Sequence, residues 1–257
     1  MLIGFLTLIF IALCLFIFLT VSSNKAASAY DDQAATATNG NLNASIYSVP
    51  QSKIVFYPSK NGQISSNGLS QANYIFEYLN PNGSICYQAI YENEVPKNIA
   101  TTENHNNVFL MPKFNYKTLE NIQLSLTKPA SSIFVTFSSL LSSSSSLVSS
   151  NFIYSNNTYY HYKDKSKDID ELNNAPVCVS NVIVQISNTP ITENNLNSIK
   201  GSGNGYLFSG GKGIGIKWYK EDSNPIKILD SNDNPVFLSK GSIWWIIIDE
   251  DSSIVFN

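Results

Sequence analysis

The chain carries acidic, imidazole and hydroxyl side chains, but few of them fall at spacings that catalysis uses. Glu77 follows Tyr74-Ile75-Phe76. A carboxylate behind an apolar run gains basicity if burial disfavours its charged form, which suits a general base. Glu92 and Glu94 follow closely, and with Glu77 they offer the carboxylate pair that hydrolysis of a sugar polymer would need. Glu77 is therefore the candidate for catalysis, set against a plain polar residue on the exposed side of a strand. His105 and His161 lack H-E-x-x-H or Cys/His spacing, so no metal site is expected and both read as surface residues. No serine stands in a G-x-S-x-G elbow, and the many serines read as compositional.

Gly201-Ser202-Gly203-Asn204-Gly205 has the composition of a phosphate-binding loop, yet it precedes a strand instead of opening a helix. Without the helix N-terminus that mechanism fails, so no cofactor is expected and the segment reads as a strand-entry loop. Lys212, Lys217 and Lys220 lie on or beside the hairpin that follows, with Trp218 among them, and form the candidate binding residues for an acidic polymer. The alternative is that the lysines only keep a strand edge soluble and that Trp218, Trp244 and Trp245 fill a core. On a strand, Trp244 and Trp245 must face opposite ways.

Composition narrows the chemistry further. All sixteen basic residues are lysines. Arginine is the usual bidentate partner of phosphates and guanine edges, so its absence, with a net charge of -3, argues against nucleic acid as a partner. Cys14, Cys86 and Cys178 are too widely spaced for a C-x-x-C motif; Cys86 and Cys178 read as a pair in an oxidising compartment or as two separate thiols.

The elements that must position these residues begin after a long apolar run. Leu2 to Val21 carries no charge and is long enough to cross a hydrocarbon core of about 30 Å. Residues 1–22 are read as a single membrane anchor with the body outside the cytoplasm, or as a signal cleaved near Ala29 behind Ala27-Ser28-Ala29. The Leu13 before Cys14 is a poor fit to a lipid-attachment site. Residues 23–51, rich in Ala, Thr, Asn and Ser, form a spacer too polar to offset the entropy of ordering.

Residues 52–137 are expected to form an α+β domain. Its strands are Ile54 to Tyr57, Asn73 to Leu79, Ser84 to Tyr91, Val108 to Met111 and Ser131 to Phe137, and Lys117 to Leu126 has the spacing of a helix. Asn80-Pro81-Asn82-Gly83 supplies a hairpin turn. Residues 138–150, nearly all Ser, read as a linker. Residues 151–257 alternate short strands with turn signals and predict a mostly antiparallel β domain, a sandwich or partly closed barrel. The whole is thus expected to be an α+β protein.

Val179 to Gln185, Gly201 to Tyr206, Gly210-Gly211-Lys212, Trp218 and Gly241-Ser242-Ile243-Trp244 resemble, in order and spacing, the C-terminal domain of the YerB-like lipoproteins of Gram-positive bacteria. Gly68 to Asn73, with Phe76-Glu77 and its hairpin, resembles the same family's N-terminal domain. The chain departs where the family carries arginines: here stand Gly83-Ser84-Ile85-Cys86 and Val95 to Ala100. Asp168-Ile169-Asp170 takes the place of a His-Ile-Asp pattern. The resemblance implies a two-domain extracytoplasmic protein of unsettled role, lacking any anion site built from those arginines. The expectation is a non-enzymatic envelope module that meets a cell-wall polymer or envelope protein. The alternative is a hydrolase of a wall polymer acting through the acids of the first domain.

Overall fold

The computed structural model describes residues 52–257 apart from stretches at 61–62, 100–110, 139–148, 164, 190, 192–194 and 222–223. The apolar run, the spacer, His105 and most of the Ser-rich tract therefore lie outside the described residues. Within the described residues no helix is long and apolar enough to cross a membrane.

In chain order the strands are β1 Lys53–Tyr57, β2 Tyr74–Leu79, β3 Ile85–Tyr91, β4 Asn115–Lys117, β5 Lys128–Pro129, β6 Ser132–Thr136, β7 Ser149–Ser155, β8 Thr158–Lys163 and β9 Ser166–Lys167. They continue as β10 Cys178–Val179, β11 Asn181–Ile186, β12 Gly201–Ser209, β13 Lys212–Lys220, β14 Lys227–Leu229, β15 Phe237–Ser239, β16 Ile243–Ile248 and β17 Ser253–Phe256. Among the described residues the one α-helix, α1, covers Leu119–Ser125.

The protein is thus mostly β, which corrects the α+β expectation. The helical spacing of Leu119, Ile122 and Leu126 was genuine, and Ile122 and Leu126 are buried. It produces only seven residues of helix, however, because the backbone turns extended at Leu126 (ψ 140). A helix of two turns does not form a layer. The β region also departs from a mostly antiparallel arrangement at its centre, where β16 runs parallel to both β11 and β2.

Ser48–Asn257 form one compact unit. Its larger sheet has the order β1-β3-β2-β16-β11-β12-β13-β14, with β5 also on β13. The smaller has the order β10-β8-β7-β6-β17, with β9 on β8, and β15 pairs with β4 separately. Strands from both sides of the 138–150 tract share each sheet, and Ser149 and Ser150 already belong to β7.

Alternation along each strand sorts the apolar residues onto two faces of the larger sheet. Ile75, Tyr87, Val182, Val184, Trp244 and Ile246 face the smaller sheet, which contributes Ile133, Val135, Phe152 and Tyr159 to the same core. Phe76, Tyr78, Ile183, Leu207, Trp218 and Trp245 point the other way, into a second core roofed by Leu196, Ile199, Val236 and Leu238. Trp244 and Trp245 accordingly enter different cores. β16 is buried on both faces, and its unbroken apolar sequence Ile243 to Ile248 is what such a central strand requires.

One turn follows the chemistry read from the sequence, and one glycine segment departs from it. Asn80 O accepts the Gly83 N–H at 2.9 Å, and Gly83 has φ 73, so the β2–β3 hairpin closes where Asn-Gly allows it. Gly203 and Gly205 lie inside β12 and not in an entry loop. A Cβ at Gly205 would stand 2.2 Å from Val184 O, so glycine here permits close approach of β11.

Candidate functional site

The chemistry-bearing side chains converge in the interior between the sheets. On β2, Phe76 and Tyr78 face one core, so Glu77 faces the other, toward the smaller sheet. There it meets Trp244 of β16, Ser150 of β7 and His161 of β8. Glu77 and His161 are 1 % exposed and Ser150 is 0 % exposed. Asp168, just after β9, and Ser66, before a short 3-10 turn at Leu69–Gln71, close the cluster. Lys163, at the end of β8, reaches in from the surface with its side chain 35 % exposed.

The hydrogen bonds form one chain. Ser150 Oγ lies 2.7 Å from Glu77 Oε2 and 3.2 Å from His161 Nε2. His161 Nδ1 is 2.8 Å from Asp168 Oδ2. Asp168 Oδ1 accepts from Ser66 Oγ at 2.5 Å and lies 3.3 Å from Lys163 Nζ. The Lys163 ammonium also donates to Ile64 O at 2.6 Å and to Ser66 Oγ. Trp244 Nε1 donates to Glu77 Oε2 at 2.7 Å. The His161 ring stacks on Trp244, with centroids 4.1 Å apart and planes 26° apart, and Phe152 and Tyr87 flank it.

Burial pushes the Glu77 carboxyl up from its ordinary value, against the opposing influence of His161, Ser150, Trp244 and Lys163. Burial also acts upward on Asp168. There the hydrogen bond and charge of His161, with Lys163 and Ser66, outweigh it and hold the carboxyl below the usual aspartate range. An ionised Asp168 accepts a hydrogen bond from Nδ1–H, so the state of Nε2 decides the rest.

Ser150 has one proton to give. If it donates to Glu77, the nearer acceptor, then Nε2 must donate to Ser150 and His161 is an imidazolium between two carboxylates. If Glu77 holds the proton, Ser150 can donate to Nε2 and His161 is neutral. The two arrangements differ by one proton moved across the Ser150 hydroxyl.

The second arrangement has the order and distances of a Ser–His–Asp triad. Its setting in this conformation opposes acyl transfer. The nucleophile has no exposed surface, Trp244 stacks on the imidazole, and Glu77 is within hydrogen-bond reach of the hydroxyl. What the cluster does is join the two sheets through satisfied, charge-balanced polar groups.

Asp170 ties the same segments from the other side. Its carboxylate accepts the backbone N–H of Gly68 at 2.8 Å, that of Ser70 at 2.9 Å, and the Ser70 hydroxyl at 2.6 Å. Gly68 has φ 86, and its Cβ would stand 2.9 Å from Ile99 Cδ1, so only glycine turns the chain into this clasp without strain. Gly68 to Asn73 and Asp168 to Asp170, which carried separate parts of the family resemblance, are one structure.

The candidates read from the sequence scatter by comparison. Glu77 is in the cluster, with Asp168 as the acid that shares it; Glu92 and Glu94 are exposed beyond β3. His161, expected at the surface, is buried, because it alternates with Tyr159 on the inward side of β8. Trp218 is 2 % exposed and donates through Nε1 to Ile186 O at 2.8 Å. Lys220, 3 % exposed, donates to Asn224 O at 3.0 Å. Lys217 points to the opposite side of β13 and pairs with Asp233 at 2.9 Å. Lys212 is half-buried at the β12–β13 turn. The four binding candidates therefore do not form one surface. Cys86 and Cys178 are both free thiols, and burial pushes the Cys86 thiol up to about 12.

Ser150 and Asp168 escaped sequence reasoning. Ser150 closes a serine tract that read as a linker, and Asp168 read as a lost histidine. The available signal was the two-residue period of Tyr159, His161 and Lys163, and of Asp168 and Asp170.

Comparison with known proteins agrees with this architecture. Residues 139–245 match the family model described as a protein of unknown function (DUF3048), C-terminal domain. No curated protein matches the chain. The crystal structure of the YerB protein from Bacillus subtilis superposes with a TM-score of 0.52 at 13% identity, covering 81% of this chain and 96% of that one, a likeness of fold. Residues 139–245 thus match the DUF3048 C-terminal domain of unknown function, and the described residues share the fold of the YerB protein.

Proposed function

We propose that this is a membrane-targeted extracytoplasmic protein whose body is a non-enzymatic envelope interaction module. The observation that carries the non-enzymatic reading is the sealing of Ser150, His161 and Glu77 at 1 % exposure or less. Reactive groups that neither water nor substrate reaches serve the fold. The membrane reading rests on the uncharged apolar run Leu2 to Val21 and the polar spacer behind it.

The test is fractionation of cells expressing the full chain, with protease added after wall removal. The chain should sediment with membranes and its body should be digested from outside; full-length protein in the cytosol overturns the proposal. Solubilised full chain incubated with purified wall polymer should release no soluble fragments. The alternative, a hydrolase of a wall polymer acting through the acids of the first domain, has one observation on its side, the convergence of Glu77 with Ser150 and His161. Fragment release that Ser150→Ala or Glu77→Gln abolishes would establish it in place of the first.

A further inference from the structure

The outward face of the smaller sheet is not covered by any described element. On β6, β7, β8 and β17 the residues opposite the core are Phe134 (44 % exposed), Ile153 (41 %), Val255 (64 %) and the half-buried Tyr160 and Tyr162. The register sets them in two rows. Val255, Phe134, Asn151, Tyr162 and Lys167 lie across the sheet in one, and Ile153 and Tyr160 are neighbours in the next. Neighbouring strands are about 4.8 Å apart and alternate residues about 7 Å apart, so these side chains are neighbours on one face, with Asn151 between Phe134 and Tyr162 largely buried. Exposed apolar groups this contiguous mark a binding surface more often than solvent-facing sheet.

Charge and polarity select the occupant. Lys167 Nζ stands 4.2 Å from the centroid of the Tyr160 ring, so a cation is held in place over the face instead of trailing in solvent. Lys165, also exposed, precedes it on the β8–β9 turn. The outward positions of the described strands of this sheet carry no carboxylate, although acids outnumber bases in the chain, 19 to 16. Hydroxyl groups of Ser132, Ser155 and Thr158 stand among the rings, a mixture that suits a polyhydroxylated ligand better than lipid tails.

We propose that this face binds a carbohydrate polymer bearing carboxylate or phosphate groups, its sugar rings lying on Tyr162 and Phe134 and its anionic groups meeting Lys167. The proposal rests on the envelope reading for its biological setting, but the surface can be tested by itself, so failure of either leaves the other to be judged separately.

Solubilised full chain is titrated with polygalacturonate, polyglycerol phosphate and neutral amylose, each at low and high salt. Binding is expected to at least one anionic polymer, at least tenfold stronger than to amylose and weakened by salt. Tyr162→Ala should weaken it about tenfold and Lys167→Gln several-fold, while Tyr219→Ala, an exposed tyrosine on the larger sheet, should change nothing. Near-ultraviolet circular dichroism of each variant distinguishes lost contact from lost fold. Absence of binding to both anionic polymers, equal binding to amylose, or indifference to Tyr162 and Lys167 overturns the proposal. So does quenching of a Tyr162→Trp reporter by brominated lipid in nanodiscs, which would show a bilayer covering this face. Concentration-dependent dimerisation lost on Phe134→Ala would assign the face to a second copy and overturn it equally.

Discussion

The indole Nε1 of Trp244 donates to Glu77 Oε2 at 2.7 Å, joining residues 167 positions apart. The contact follows from parallel pairing: β16 sets Trp244 opposite Ile75 and Ile246 opposite Glu77, so the indole reaches the carboxylate diagonally on the same face. It also explains why a carboxylate is tolerated in an apolar core. Glu77 has two donors on one oxygen, and His161 and Lys163 nearby offset its charge and that of Asp168.

The cluster makes stability depend on pH with opposite signs at its two acids. Burial raises Glu77, so the folded state holds a proton that the unfolded chain releases above about 4.5. Its contribution is fully present below that value and declines as pH rises through the folded pKa. Asp168 is lowered, so its contribution is present above its ordinary value of 3.8 and is lost as pH falls through the folded pKa. Thermal unfolding followed across pH should show Glu77→Gln flattening the decline above about 4.5. Asp168→Asn should flatten the loss on the acid side. Unchanged Tm profiles in both variants would contradict the charge arrangement.

Asp170→Ala removes the acceptor for Gly68 N–H, Ser70 N–H and the Ser70 hydroxyl in a fully buried place. Bonds to a charged acceptor are worth about 1.5–3 kcal/mol each, and unpaired buried donors add a penalty. A loss of at least about 2 kcal/mol is expected in denaturant unfolding. Asp170→Asn should be milder, because one amide oxygen can still accept.

A fragment beginning at Asn151 should not fold by itself. It would lack β2, which pairs with one edge of β16, β3 beyond it, and β6, which separates β7 from β17, so Trp244 would lose Glu77 and Tyr87 and Phe152 would lose its cross-strand neighbour Ile133. Amide spectra of residues 151–257 should lack dispersion, and addition of residues 48–150 in trans should restore it. A well-dispersed spectrum of the fragment alone would show that the two halves are independent.

Local order was legible in the sequence. The β2–β3 and β12–β13 turns, the strands Asn181–Ile186 and Ile243–Ile248, and the opposite facing of Trp244 and Trp245 follow from turn chemistry and a two-residue period, which act between near neighbours. A short helix was legible for the same reason. Tertiary structure alone decided that β16 would insert in parallel between β2 and β11, which joins strands from before and after the 138–150 tract in the larger sheet. It decided equally that Ser150, His161 and Asp168 would meet Glu77, and that the face of β13 carrying Trp218 and Lys220 would be the buried one. Such encounters depend on which strand edges pair, and no local propensity encodes the partner of an edge.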